Sequence, residues 1–474
     1  MKMINTNNPT YQMAIYTLGL LLMKCISLIM MPIVTRYLNL TEFGTLEILL
    51  IFINLASLIF GVGLSDALYK YAGLEKNAFT IEKWHTSAIV ISIAVSLVFA
   101  SVLFVLSPTI SAILPGDVKA LHIKLLSIIL ALGSFLAVQL SWLRISETVN
   151  GYLLVTVGMA ASQAIGVVIF LNLGQGINSM LYASILSLSL AVALSLKFSP
   201  ISFKYIKDIP TIHKLVKYGY PLIFAGVLSF LYMGSEQWWL GFLLGVEELA
   251  IYSIACKFSM ITLFALQPFM MWWGPKRFKL YGMENGLEKI ATISTYGVTV
   301  GFIAAILIAA ISKIIIFFML PEAYHAATEY VLPLSLIFAV KNISDTYNFG
   351  IYLKASHWVI WINGITAIIA SLGFYLLIPI FDLNGTLIAM LLAFSVRSII
   401  MLWISQHLLN LNYPYKKFSY FMSAIIFSVY LLQNSTGIYQ VITLLIPSLC
   451  LLILLAIQLK ILPQLSTLFN RAAT

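Results

Sequence analysis

Six ionisable residues stand inside apolar runs: Lys24, Glu236, Lys257, Lys341, Asp345 and Arg397, with Glu47 a seventh at the edge of its run. A charge near the centre of a hydrocarbon layer costs about 2.5–3.5 kcal/mol on insertion scales, so such groups face protein or water rather than lipid. Their types define two kinds of chemistry. Lysine and arginine bind anions, arginine as a two-pronged partner for phosphate and lysine as a point charge. Carboxylates in the same setting either neutralise those cations or carry protons. Lys341 and Asp345 are four residues apart and can pair along one helix face. Glu236 and Lys257, in the outer halves of adjacent runs, can pair as well. Lys24 lies eleven residues into the first run with no acidic residue at equal depth next to it, and Arg397 stands alone in LLAFSVRSIIMLW. Cations at mid-depth without a counter-charge predict a water-filled cavity that receives an anion. The competing reading is ion pairing that merely joins helices.

Signatures of catalysis are missing from the sequence. It contains no HExxH, nucleophile elbow, Walker loop or glycine-rich nucleotide fingerprint. The six histidines are scattered, and Cys25, Cys256 and Cys450 lie far apart in apolar runs with no metal-ligand or CxxC spacing. The cysteines read as small hydrophobes. The expectation is a chain that is not an enzyme, with no catalytic residue, no metal and no cofactor.

The elements that must position these charges follow from composition. Hydrophobic residues make up 61% and charged ones 9% of the 474, against about half and a quarter in a soluble domain. Such a chain needs lipid as solvent, and in lipid the backbone must satisfy itself within helices or a closed barrel. The apolar runs are continuous and close to the length a helix needs to span, so helices are expected. Cutting at charges, prolines and glycines gives fourteen spans: 13–35, 45–65, 86–107, 122–143, 152–173, 177–196, 219–240, 249–272, 291–312, 328–351, 358–378, 384–404, 418–433 and 438–459. With the N-terminus cytoplasmic, nineteen Lys and Arg fall on the inner side and four (Arg36, Lys119, Lys124, Lys313) on the outer. That bias places both termini in the cytoplasm. The net charge of +10 then reflects topology and contact with anionic lipid rather than nucleic-acid binding. The first run is read as an uncleaved start-transfer segment. Trp238, Trp239, Trp272, Trp273, Trp358 and Trp361 stand near span ends, where an interfacial aromatic belt is expected.

A motif returns. Setting Glu42 on Glu248 aligns TEFGTLEI with EELAIYSI, each at the first outer hairpin of a block of six spans. An acidic residue near a helix start suits the positive end of the helix dipole. The repeat in register predicts a parallel duplication about an axis along the membrane normal. The fold expected is an all-α membrane protein of about 14 transmembrane helices. Residues 1–200 form an N-lobe of six, 201–410 a C-lobe of six, and 411–474 a C-terminal helix pair and tail. The polar stretch 197–221, with five lysines and three prolines, is the natural link between the lobes.

RYLNLTEFGTLEILLIF, YPLIFAGVLSF, VEELAIYSIACKF, WWGPKRFKLY and LLIPIFDLNGTLIAM, in this order, resemble the polysaccharide (O-antigen type) flippases of the multidrug/oligosaccharidyl-lipid/polysaccharide exporter superfamily. Many relatives carry an acidic residue near the end of the seventh span, where this chain has Gln237 beside Glu236. The resemblance implies two lobes around a central cavity, and alternating access that moves an undecaprenyl-diphosphate-linked oligosaccharide across the bacterial inner membrane. Lys24, Arg397, Lys257 and Lys341 are then expected to line a cationic lumen for the diphosphate, with Glu236 and Asp345 as candidate coupling groups. The partners implied are the lipid-linked glycan, membrane lipids and polysaccharide polymerase machinery. Two rivals fit less well. A multidrug or cation antiporter of the same superfamily favours buried acidic residues, whereas the buried excess here is basic. A membrane polymerase or ligase needs a large outer loop, and the outer loops here are short.

Overall fold

The computed structural model describes residues 23, 26–73, 75, 77–201, 208–433 and 438–458. Lys24 and Cys25 lie outside them. Among the described residues every regular element is a helix, and ten helices are long and apolar enough to cross a bilayer. The shorter apolar helices Ile26–Tyr37 and Pro447–Gln458 lie toward the two ends of the described chain. Large apolar side chains such as Leu97, Val105, Ile399 and Trp403 are exposed on helix surfaces. Apolar surface this extensive requires lipid around it. The chain is a multi-pass membrane protein.

Two compact units divide it: one runs through Phe230 and includes Gly245–Glu247, the other comprises Leu231–Leu244 and the chain from Glu248 on. The first unit holds α1 (Ile26–Tyr37), α2 (Leu40–Gly61), α3 (Leu64–Tyr71), α4 (Ala78–Val105), α5 (Ser107–Ile113), α6 (Ala120–Ile145), α7 (Val149–Asn172), α8 (Asn178–Phe198) and most of α9 (Ile209–Tyr232). The charged joint before α2 is a helix start. The Asn39 side chain accepts from the Glu42 N–H at 2.8 Å, and the Glu42 carboxylate accepts from the Asn39 N–H at 3.1 Å. This reciprocal capping satisfies two donors that no helical carbonyl can reach. One turn on, Gly44 lets the Gly245–Glu247 segment lie directly on α2. A Cβ at Gly44 would sit 1.8 Å from the Val246 carbonyl oxygen. Thr41 donates to Glu247 Oε1 at 2.7 Å beside it.

The second unit holds α10 (Ser235–Leu243), α11 (Val246–Ser259, apart from its first two residues), α12 (Ile261–Tyr281), α13 (Gly286–Met319), α14 (Ala327–Thr346), α15 (Phe349–Lys354), α16 (Trp358–Leu408), α17 (Tyr415–Gln433) and α18 (Ile438–Gln458). Glu248 is the third residue of α11, as Glu42 is the third of α2. The aligned pair therefore holds the same station in its two helices. A core built on Trp273, Phe302, Tyr347, Phe349, Phe421 and Leu452 joins α12 to α18. At about 1.5 Å per residue, an unbroken α16 of 51 residues would be more than twice as long as the bilayer core of about 30 Å is thick. It is broken: Asp382 has φ +51° and ψ −134°, three residues after Pro379. Gly385 lets the returning chain close on the first half, since a Cβ there would lie 2.2 Å from the Leu377 carbonyl oxygen. The Ile-Pro, aromatic and small-residue pattern thus marks a true helix end and restart between 358–378 and 384–404.

Hydroxyls buried along the helices are satisfied mostly by their own chain. Thr45, Thr156, Thr295 and Thr299 each donate at 2.8 Å to the carbonyl four residues back. These four threonines therefore need no water in the hydrocarbon.

Candidate functional site

Four of the six sequence-selected charges can be placed by their contacts, and three of them meet. Asp345, near the end of α14, accepts from Lys341 Nζ at 2.7 Å on one carboxylate oxygen and from Arg397 Nη1 at 2.9 Å on the other. The first contact is the helical i, i+4 pair expected from spacing. The second crosses to the second half of α16, and it corrects the reading of Arg397 as a lone cation. Arg397 Nη1 also donates to the Ser344 hydroxyl, and its Nε donates to Asn363 Oδ1 at 3.4 Å. The Tyr232 ring lies 5.8 Å from the guanidinium carbon. Ser398, next to Arg397, donates to the Val340 carbonyl at 3.0 Å and fixes the register of the two helices. Lys341 and Arg397 are largely shielded, with side chains 14% and 7% exposed, while the Asp345 side chain keeps 29%.

The other charges sit elsewhere. Glu236 is buried in the first turn of α10 and accepts from the Gly234 N–H at 2.6 Å. Lys257 occupies the last turn of α11 and is half-buried. Lys24 lies outside the described residues.

Lys341 and Asp345 open onto a cavity of about 520 Å³ within the second unit, lined also by Trp273, Arg277, Asn342 and Asn348. Two of these residues stand where the sequence pattern does not place them. Arg277 counts among the inner-loop cations, yet it is 8% exposed. Its Nη1 donates to Asn348 Oδ1 at 2.7 Å, and Asn348 Nδ2 donates to the Asp345 carbonyl at 2.9 Å. Trp273, expected in the interfacial belt, is fully buried against Phe269, their rings 6.3 Å apart. The signal that would have found both is periodicity. Leu266, Trp273, Arg277 and Leu280 recur at helical spacing and form the buried stripe of α12. Two cations, Lys341 and Arg397, therefore hold one carboxylate, and Arg277 is tied to the Asp345 backbone through Asn348; the four charged residues together carry a surplus of two positive charges. Among the described residues no group of His, Cys, Asp and Glu is arranged to hold a metal ion.

The helical architecture defines the class. The chain shares its fold with a lipid II flippase, MurJ, in an inward closed conformation (TM-score 0.67, 14% identity, covering 94% of this chain and 98% of that one). It is likewise similar to a multidrug resistance MATE family transporter of the MOP superfamily in an inward-facing conformation (0.62, 16%, covering 81% and 94%). A third likeness is to a MOP superfamily transporter from Pyrococcus furiosus, described as having a binding pocket of reverse polarity (0.54, 16%, covering 84% and 92%). At these identities the likeness is one of fold. No curated protein matches the sequence. A family model for polysaccharide biosynthesis proteins matches residues 33–270, half of the chain. The chain belongs to that family, as its motifs implied.

Proposed function

We propose that the chain is a flippase for an undecaprenyl-diphosphate-linked oligosaccharide, an O-antigen or related repeat unit, acting by alternating access in the bacterial inner membrane with both termini cytoplasmic. The observation that carries this reading is the positive surplus around Asp345 in a family devoted to polysaccharide synthesis. Unbalanced cations shielded from water attract an anion, and a diphosphate matches both their sign and their number. A transporter of cationic drugs would need the opposite surplus. Lys24, Lys257, Lys341 and Arg397 line the cationic route, the sugar follows through water, and the polyprenyl tail stays in lipid.

Asp345 and Glu236 are the candidate coupling groups. A proton reaching Asp345 weakens its hold on Lys341 and Arg397 together and frees both cations for the cargo. Proton entry and diphosphate binding then favour each other, which is the reciprocity any coupled carrier needs. Polysaccharide polymerase machinery would receive the cargo on the far side.

The test is export in cells. Lys24→Ala and Arg397→Ala are expected to stop surface glycan display at unchanged protein level. Wild-type display from both variants at equal expression removes them from the route and with them this reading.

A further inference from the structure

In the first unit α4 and α6 run antiparallel, and two contacts fix their register. The Ser92 and Ser134 hydroxyls meet at 3.0 Å, and the Lys124 ammonium lies 4.9 Å from the centre of the Phe104 ring. Between these contacts the two helices border a slot of about 470 Å³ that runs from Ile93 and Phe135 to Phe104 and Ser127. Small residues, Ala100, Ser127 and Ala131, leave the space, while Leu97, Phe104 and Ile128 stand exposed along it. The helical stretch from Ile93 to Phe104 rises about 16 Å, the depth of one leaflet of a hydrocarbon core about 30 Å thick. Spread over that length, the volume leaves a section of about 30 Å², too narrow for a helix about 10 Å across. A single hydrocarbon chain fits where another helix does not.

One end of the slot is charged. Lys124 stands one turn of α6 before Ser127, whose hydroxyl donates to the Lys124 carbonyl at 2.7 Å. Its ammonium makes no ion pair among the described residues, whereas nearby Lys119 is already matched with Asp117 at 3.4 Å. The Phe104 ring steadies the cation without neutralising it. We infer that this slot holds one acyl chain of an acidic phospholipid whose phosphate meets Lys124. A chain lying along the slot brings its headgroup to the level of the ammonium, because the slot is one leaflet deep. A lysine that merely reaches for water accounts for the charge but not for the slot. The slot alone would take any acyl chain, and Lys124 adds the preference: a zwitterionic lipid offsets its own phosphate, an acidic one does not. The inference uses residues of the first unit only and stands without the flippase reading.

The test uses the full chain in phosphatidylcholine nanodiscs carrying a trace of phosphatidylglycerol with a diazirine midway along one acyl chain. After illumination, labelled peptides are mapped by mass spectrometry. Label is expected within 93–104 and 127–135. The matching phosphatidylcholine probe should label these stretches about fivefold less, the scale of one basic residue against an acidic lipid. Lys124→Gln should bring the two probes level. Ala131→Leu, which fills the slot, should remove label from both. Folding is checked by gel filtration and thermal melting, and Lys124→Gln carries the test if Ala131→Leu does not fold. Equal labelling of wild type by the two probes overturns the inference. So does an unchanged preference in Lys124→Gln, or label confined to other helices. Undecaprenyl phosphate that displaces the probe better than unlabelled phosphatidylglycerol does would overturn it too, by making the slot a place for cargo. Glycan display from the Lys24 and Arg397 variants decides the flippase reading separately.

Discussion

Asp345 grips Lys341 with one oxygen and Arg397 with the other, so removing a cation and removing the carboxylate are unequal changes. Lys341→Met leaves Asp345 neutralised by Arg397 and places an apolar chain where an apolar stem already packs. Asp345→Asn leaves two shielded cations facing each other, a change that costs up to about 3 kcal/mol in such a setting. Thermal melting in detergent should show Asp345→Asn clearly below wild type and Lys341→Met close to it; the reverse order would mean that the carboxylate does not organise the cluster. Half of this cluster was legible in the sequence. The Lys341–Asp345 pair follows from a four-residue spacing on one helix. Arg397 is more than fifty residues away, and its partner depends on how α14 and α16 are rotated, which no local pattern records. Arg277 is hidden from a sequence reading for a different reason. Its neighbours Lys276 and Lys279 are exposed, so the run looks like a solvated loop until Trp273, Arg277 and Leu280 are seen as one stripe of a longer helix.

Helix ends are where the elements are most exact and most open to test. The break in α16 was legible because its causes are local: a proline removes a donor, and a glycine admits a close carbonyl. Asp382 itself has φ +51° and ψ −134°, a conformation open to glycine and costly for other residues. Asp382→Gly should therefore stabilise the folded chain by about 1 kcal/mol and raise its melting temperature; a lower value would show that the Asp382 side chain contributes more than its backbone loses. Gly44 gives the opposite sign. With the Val246 carbonyl oxygen 1.8 Å from where its Cβ would be, Gly44→Ala must push backbone from backbone. A loss of about 1–3 kcal/mol is expected, the usual scale of overpacking. Thr41→Val, which deletes only the hydroxyl bonded to Glu247, should cost less. Equal melting temperatures for Gly44→Ala and wild type would show that the 245–247 segment does not rest on α2. The sequence marked both hairpins through Glu42 and Glu248, since capping chemistry is local. That Gly44 meets Val246 is a tertiary fact two hundred residues long and lay beyond it.

For the whole molecule, the distribution of charge is the quantity that fixes orientation. Nineteen of 27 Lys and Arg fall on one side of the expected spans and four on the other, and basic residues near short loops are retained on the cytoplasmic side. If orientation follows that bias, the loop between α5 and α6 faces outward, and the ends of α12 and α16 face the cytoplasm. Asp117 and Lys279 are convenient reporters, both exposed and separated by an odd number of expected crossings. In a chain with Cys25, Cys256 and Cys450 replaced by serine, Asp117→Cys should react with a membrane-impermeant maleimide in intact spheroplasts. Lys279→Cys should react only after permeabilisation. The prediction bears directly on transport, because Asp345, Arg397 and Arg277 all stand toward the ends of spans that this bias turns inward. On the proposed flippase reading, a cation cluster so placed would meet an anionic headgroup entering from the inner leaflet. Labelling of Lys279→Cys in intact spheroplasts, with Asp117→Cys protected, would invert the molecule and put the same cluster at the outer surface. The charges would then serve release rather than loading, and the direction of transport would have to be argued again from the residues up.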